Sequence, residues 1–366
     1  MTIDTTDDVA ADLEASPEKG STGSPSRDLD RSEQVLGAGA ATWMLVGLFA
    51  DGLAHQEQKP DSFFTPWHAL LYTGFLAAVG QFAFQVRRRH QPGAPWRNAI
   101  PAELEYVPAG IVAFGIGGGA DLLWHELLGI EVGIGALLSP THLLLLCGGV
   151  ALLTGPLRRA WQTMATAPTL RELGPTLAGV SAVMAIGMFF TSFASPFTRS
   201  PADFPSVAAD VHDISEMTPD AFGQLRELWG VSAILVTTLV LVLPVLALLR
   251  RFRLPAGALT VVGVVFAIFE SALGSFERPA LIAVGLVAGG VGDILIHRLR
   301  PIVAVPSMVL ALWTTYFAVS AVVHDVRWDA ELWSGSIVIA TLVSIAVIAV
   351  TGSDASRRDP VATPDT

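Results

Sequence analysis

The chain alternates between long apolar stretches and short polar connections over most of its length. Each stretch approaches the roughly 20 residues that an α-helix needs to cross about 30 Å of hydrocarbon. The pattern therefore predicts an all-α protein, a polytopic transmembrane bundle of about ten spanning helices. The predicted spans are 36–55, 65–86, 104–127, 139–157, 175–196, 229–249, 255–275, 280–297, 303–323 and 333–351.

Basic residues concentrate in every second connection between these spans. Short cytoplasmic loops of membrane proteins carry an excess of Lys and Arg. The distribution predicts that both termini are cytoplasmic and that the protein lies in the plasma (inner) membrane. The basic residues follow the second, fourth, sixth, eighth and tenth spans, as Arg87, Arg88, Arg89, Arg158, Arg159, Arg250, Arg251, Arg253, Arg298, Arg300, Arg357 and Arg358.

Composition agrees with a membrane protein. Hydrophobic residues make up 52% of the 366 residues and charged residues 15%, and the mean hydropathy is +0.54. Soluble domains carry about 25% charged residues, so this chain has too little charge to cover a water-facing surface. We expect the lipid bilayer as its main partner and no nucleic acid. The single cysteine, Cys147, excludes an intrachain disulfide.

Polar residues with metal-binding side chains interrupt the apolar pattern at two places. Asp51 and His55 end the first span and His68 begins the second. Asp121 and His125 end the third span, each 70 residues after its counterpart, and His142 begins the fourth, 74 residues after His68. The topology above places all six near the outer face of the membrane. We interpret them as two metal sites on a parallel repeat of two helix hairpins.

The spacing explains how each set can converge. Residues four apart lie on one face of a helix, and a proline in the first turn of the returning helix lets His68 point back across the hairpin. Two histidines and one carboxylate leave open positions on a transition metal, but these ligands do not separate copper from iron or zinc. The alternative for any single residue is solvation or helix capping, which two copies of the pattern make harder to accept.

The stretch H-Q-E-Q-K-P-D-S-F-F-T-P-W-H carries a family resemblance. It resembles the copper-ligand segment in the membrane copper subunit of the particulate methane monooxygenase and ammonia monooxygenase family, with Asp51, His55 and His68 at the three ligand positions. A second cluster of that family is similar to Asp121, His125, Glu131 and His142. Here Asp121 stands where the family has Asn, and the loop before His142 is longer. The resemblance covers about residues 40–155 and implies copper as cofactor.

Two functions follow from this resemblance and remain open. One is a copper-dependent, monooxygenase-like oxidoreductase that oxidises a small apolar substrate with O2, together with other membrane subunits or as a homo-oligomer. The other is a non-catalytic protein that captures or handles copper. Haem ligation by the histidines ranks last, because a carboxylate four residues before each helical histidine favours a non-haem ion.

The remaining regions are assigned more simply. Residues 1–34 are predicted to form a disordered cytoplasmic tail and residues 352–366 a second one. Between these tails lie the metal-binding hairpins (35–157) and the further transmembrane helices (175–351). The acidic loop 197–228 either covers the metal sites or is merely solvated. Asp293 and His297 are read as interface or ion-pair residues. Glu270 lies within a span, and the sequence shows no partner for it.

Overall fold

The computed structural model describes residues 29–57, 65–129, 134–198, 219–323 and 326–352, and in these ranges every regular element is helical. The all-α prediction is confirmed for this part of the chain. The α-helices are α1 (Arg31–Gln56), α2 (Pro66–Arg89), α3 (Val107–Leu128), α4 (Ile134–Leu138), α5 (Pro140–Leu153), α6 (Gly155–Thr163), α7 (Leu170–Phe190), α8 (Pro219–Arg251), α9 (Ala258–Leu273), α10 (Ile282–Ile296), α11 (Pro301–Val323) and α12 (Ala330–Thr351).

Helices occur at all ten predicted spans, but only eight in the described ranges are long and apolar enough to cross a membrane. The other two are α5, with 14 residues, and α9, with 16. At 1.5 Å per residue these helices reach about 21 and 24 Å, less than the hydrocarbon thickness. Eight such helices indicate an integral membrane protein in contact with lipid.

The first two helix hairpins pack so closely that glycine is required at the contacts. A Cβ atom at Gly47 would lie 2.4 Å from the Leu71 backbone, and one at Gly74 would lie 2.6 Å from the Met44 backbone. These two glycines therefore bring α1 and α2 almost into backbone contact, as small residues do between membrane helices. The second hairpin, α3 and α5, is built in the same way.

The other helices surround a large apolar core. Trp313 and Tyr316 of α11 are fully buried and pack against Phe197, which follows α7. The first hairpin joins this core through Phe49, whose ring lies 5.7 Å from that of Phe189 and 4.7 Å from that of Phe269. The end of α1 that carries Asp51 is thereby fixed against α7 and α9.

The structure begins α1 earlier than the sequence suggests. Arg31 to Gln34 fall within the predicted disordered tail but form the first helical turn. Asp30 caps this turn together with Glu33 in a capping box. Glu33 is also held by Arg89 of α2 at 2.5 Å. The rest of the predicted tails, 1–28 and 353–366, lies outside the described residues.

Asp293 has a structural role that its sequence position did not reveal. Its carboxylate accepts hydrogen bonds from the backbone N–H groups of Leu259 and Thr260, at 3.1 and 2.8 Å, and from the Thr260 hydroxyl. It therefore caps the N-terminus of α9 from the neighbouring helix α10. Within the described residues these hydrogen bonds, rather than an ion pair, hold the Asp293 carboxylate. His297 follows α10 as its exposed C-cap.

Candidate metal centres

Asp51, His55 and His68 form the first candidate centre, which we call site one. The Asp51 Oδ1 atom lies 3.6 Å from His55 Nε2 and 3.2 Å from His68 Nε2. One ligand atom from each residue lies within 4.8 Å of the other two. The His55 side chain is 28% exposed and that of His68 only 8%. Site one is thus an acid facing two imidazoles, open on one side.

Local structure explains the orientation of His68. The residue before Pro66, Thr65, is the N-cap of α2, and its side chain makes no capping hydrogen bond. Instead Thr65 Oγ1 lies 2.9 Å from His68 Nδ1. This contact turns the other ring nitrogen, Nε2, toward Asp51. Ligating histidines generally have such a partner on the second ring nitrogen, which fixes the tautomer.

Asp121, His125 and His142 form site two. Asp121 Oδ2 lies 3.3 Å from His125 Nε2, and Asp121 Oδ1 lies 3.3 Å from His142 Nε2. Here too the three ligand atoms lie within 4.8 Å of one another. Ser139 Oγ lies 2.8 Å from His142 Nδ1, the same support that Thr65 gives His68.

Site two differs from site one in its other polar contacts. Thr141 donates a 2.8 Å hydrogen bond to Asp121 Oδ1. The residue 74 positions earlier is Trp67, which offers no hydroxyl group. The Nδ1 atom of His125 is buried and has no hydrogen-bond partner among the described residues. Hydrogen bonds from the protein therefore hold the Asp121 carboxylate more firmly than the His125 imidazole.

Contacts in the first hairpin recur in the second with the same spacing. A Cβ atom at Gly117 would meet Leu145, as one at Gly47 would meet Leu71, and one at Gly148 would meet Phe114, as one at Gly74 would meet Met44. At the opposite ends of the hairpins, ion pairs also recur 70 residues apart. The pairs are Glu33 with Arg89 and Glu103 with Arg159.

The distances suit a shared metal ion. Two ligands at 2.0–2.1 Å from a tetrahedral ion lie about 3.3–3.4 Å apart. The four carboxylate–imidazole distances, 3.2, 3.6, 3.3 and 3.3 Å, bracket this value. Charge-assisted hydrogen bonds are shorter, about 2.7–2.9 Å. Each triad supplies three of the ligands that a transition metal needs and leaves room for another.

The structure brings the six site residues named from the sequence together as two separate triads. It also adds Thr65, Ser139 and Thr141, which the sequence reading missed. The signal was present, because T-P-x-H and S-P-x-H place a hydroxyl residue three positions before each histidine. Glu131 and the greater part of the loop 197–228 lie outside the described residues.

Comparisons with known proteins found no match for this chain. No protein-family model matches it, and neither the curated proteins nor the solved structures searched contain a match. The resemblance to the copper monooxygenase family accordingly rests on the sequence motifs around the six candidate ligand residues.

Proposed function

We propose that this protein is a copper-binding integral membrane protein related to the membrane copper subunit of the copper monooxygenases. One observation carries the proposal: two separate Asp/His/His triads each place three ligand atoms within 4.8 Å of one another. Chance placement of one polar group is common, but the same three residue types on two hairpins are not explained by helix capping.

Copper is the metal that the ligand set and the motif favour together. Imidazole binds copper, iron and zinc, and among divalent ions copper binds a given nitrogen and oxygen site most tightly. The match of Asp51, His55 and His68 to the family motif adds to this preference. Asp121 makes site two more negative than its family counterpart and favours a divalent ion there.

The two hairpins are, in this proposal, copies of one ancestral unit. The recurring glycine contacts and the recurring acid–arginine pairs support the duplication. The basic clusters after the even-numbered predicted spans support cytoplasmic termini. Because α1 and α3 would then run outward, both sites would lie near the outer face, open to periplasmic or extracellular copper.

The proposed activity is oxidation of a small apolar substrate with O2. Bound copper would supply the redox chemistry of this reaction. This chain's residues would hold the ion: Asp51 and Asp121 balance its charge, and Thr65 and Ser139 orient one imidazole each. Capture of copper without catalysis is the second candidate. The partial exposure of His55 and of His142, at 28% and 22%, favours it, because ions can enter and leave.

The two functions are separated by copper loading followed by an activity assay. The protein, purified in detergent, is loaded with Cu(II), and electron paramagnetic resonance is recorded for nitrogen hyperfine splitting. His55→Ala should remove the signal of site one, whereas His297→Ala, outside both triads, should leave it intact. O2 consumption with a short alkane or ammonia and a reductant identifies an oxygenase. Stable copper binding without O2 consumption identifies capture, and absence of bound copper refutes both.

A further inference from the structure

A second kind of polar cluster lies in the later helices, apart from both triads. Glu270, in the last turn of α9, is only 2% exposed. Its Oε2 atom accepts a 2.5 Å hydrogen bond from the hydroxyl of Ser195, which is equally buried. Within the described ranges no arginine, lysine or histidine forms an ion pair with the Glu270 carboxyl. An acid inside a membrane bundle is a functional candidate by default.

The segment that follows α7 forms the other wall of this cluster. Ser195 Oγ accepts hydrogen bonds from the backbone N–H groups of Phe197 and Thr198, at 3.2 and 3.3 Å. These bonds fold the segment across the end of α9. The Cα atom of Thr198 lies 3.4 Å from where a Cβ of Gly274 would be. Thr198 therefore lies beside the end of the helix that carries Glu270.

Two hydroxyl groups on these two segments, α9 and the segment after α7, lack partners among the described residues. Ser271, only 3% exposed, and Thr198 each have a buried side-chain oxygen without a hydrogen-bond partner in the described part of the chain. Such orphaned groups are rare in native structures and call for an explanation. The backbone just beyond α9 is also strained, since Ser275 and Phe276 both have a φ of 54°.

We propose that Glu270, Ser271 and Thr198 bind a monovalent alkali cation, Na⁺. A buried carboxylate needs either a positive charge or a proton. A proton would neutralise Glu270 but leave both hydroxyl groups unpaired, whereas a hard cation takes carboxylate and hydroxyl oxygens together. A single carboxylate balances a single positive charge, which favours Na⁺ over a divalent ion. The Ser195 oxygen already accepts hydrogen bonds from two backbone N–H groups. Ser195 therefore acts through its O–H, which donates to the Glu270 carboxylate and orients it.

Thermal unfolding of the full chain in detergent tests this site. The midpoint is compared in NaCl and in choline chloride at equal ionic strength and fixed pH. At Na⁺ concentrations about tenfold above Kd, we expect a rise of roughly 2 °C. Glu270→Gln should abolish the rise and Ser271→Ala should weaken it. Two matched controls should keep it: Glu331→Gln, an exposed acid, and Ser336→Ala, a buried serine bonded to its own helix.

Several outcomes would overturn the proposal. No Na⁺-dependent rise in the unmodified protein would do so, as would an equal rise in Glu270→Gln. A midpoint that depends on pH but not on Na⁺ would show that Glu270 holds a proton instead. If Glu270→Gln does not fold, Ser271→Ala against Ser336→Ala carries the test. Copper content, measured in the same samples, should be unchanged by these variants, so failure of the cation site is distinct from failure of the copper sites.

Discussion

Replacing Thr65 by Val should weaken copper binding at site one without disturbing the helix that carries His68. When Nε2 of a neutral imidazole binds a metal, Nδ1 carries the proton and needs an acceptor. Thr65 Oγ1, 2.9 Å away and buried, is that acceptor. The Thr65 side chain makes no capping bond, so its loss should not shorten α2. Valine keeps the volume and removes only the acceptor.

The magnitude follows from the role of such contacts. Removing the partner of a ligating histidine typically costs 10–100-fold in metal affinity, or about 1.4–2.8 kcal/mol. The bound state carries this penalty fully, because the Nδ1 proton of His68 is then buried without an acceptor. In the metal-free state the ring can exchange its tautomer, which lowers the cost. Thr65→Ser should retain affinity, since serine provides the same contact to His142 in site two.

The assay is competition for Cu(II) against a chromophoric chelator at fixed pH. It is performed in a His125→Ala background so that only site one reports. Thr73→Val is the matched control, because this exposed threonine of α2 bonds, within the described residues, only to carbonyls of its own helix. A Thr65→Val affinity within about twofold of its parent would refute the reasoning, whose expected loss is at least tenfold.

Two further predictions concern the hairpins. Gly47→Ala should lower the thermal midpoint strongly, because its Cβ would lie 2.4 Å from the Leu71 backbone; Gly80→Ala, with nothing within 4 Å, should not, and equal midpoints would contradict the close packing. Glu33→Gln breaks a buried ion pair and should cost about 3 kcal/mol of stability, seen as a lower unfolding midpoint. The exposed Glu331→Gln serves as its control, and a Glu33→Gln midpoint no lower than that of the control would refute the claim.

The sequence predicted those parts of the fold that depend on residues close together in the chain. Asp51 and His55 had to share a helix face because they are four residues apart, and the apolar runs located each helix. The approach of His68 depends on how closely two helices pack, which Gly47 and Gly74 permit. That consequence becomes visible only in three dimensions.

What the sequence missed involves partners that are distant along the chain. The start of α1 looked too polar for a helix, yet Arg89, 56 residues away, neutralises Glu33 there. Glu270 seemed unpaired because Ser195 precedes it by 75 residues. The capping role of Asp293 was not predicted because its partners are backbone N–H groups of another helix, which no side-chain motif reveals.

Counting bound copper per chain tests the central claim most directly. After copper loading and removal of loosely bound ions, elemental analysis should give about two copper ions per chain, one for each triad. His55→Ala and His125→Ala should each lose about one of these ions, and the double variant should lose both. A copper content that is near zero in the unmodified protein, or that neither substitution changes, would contradict the account.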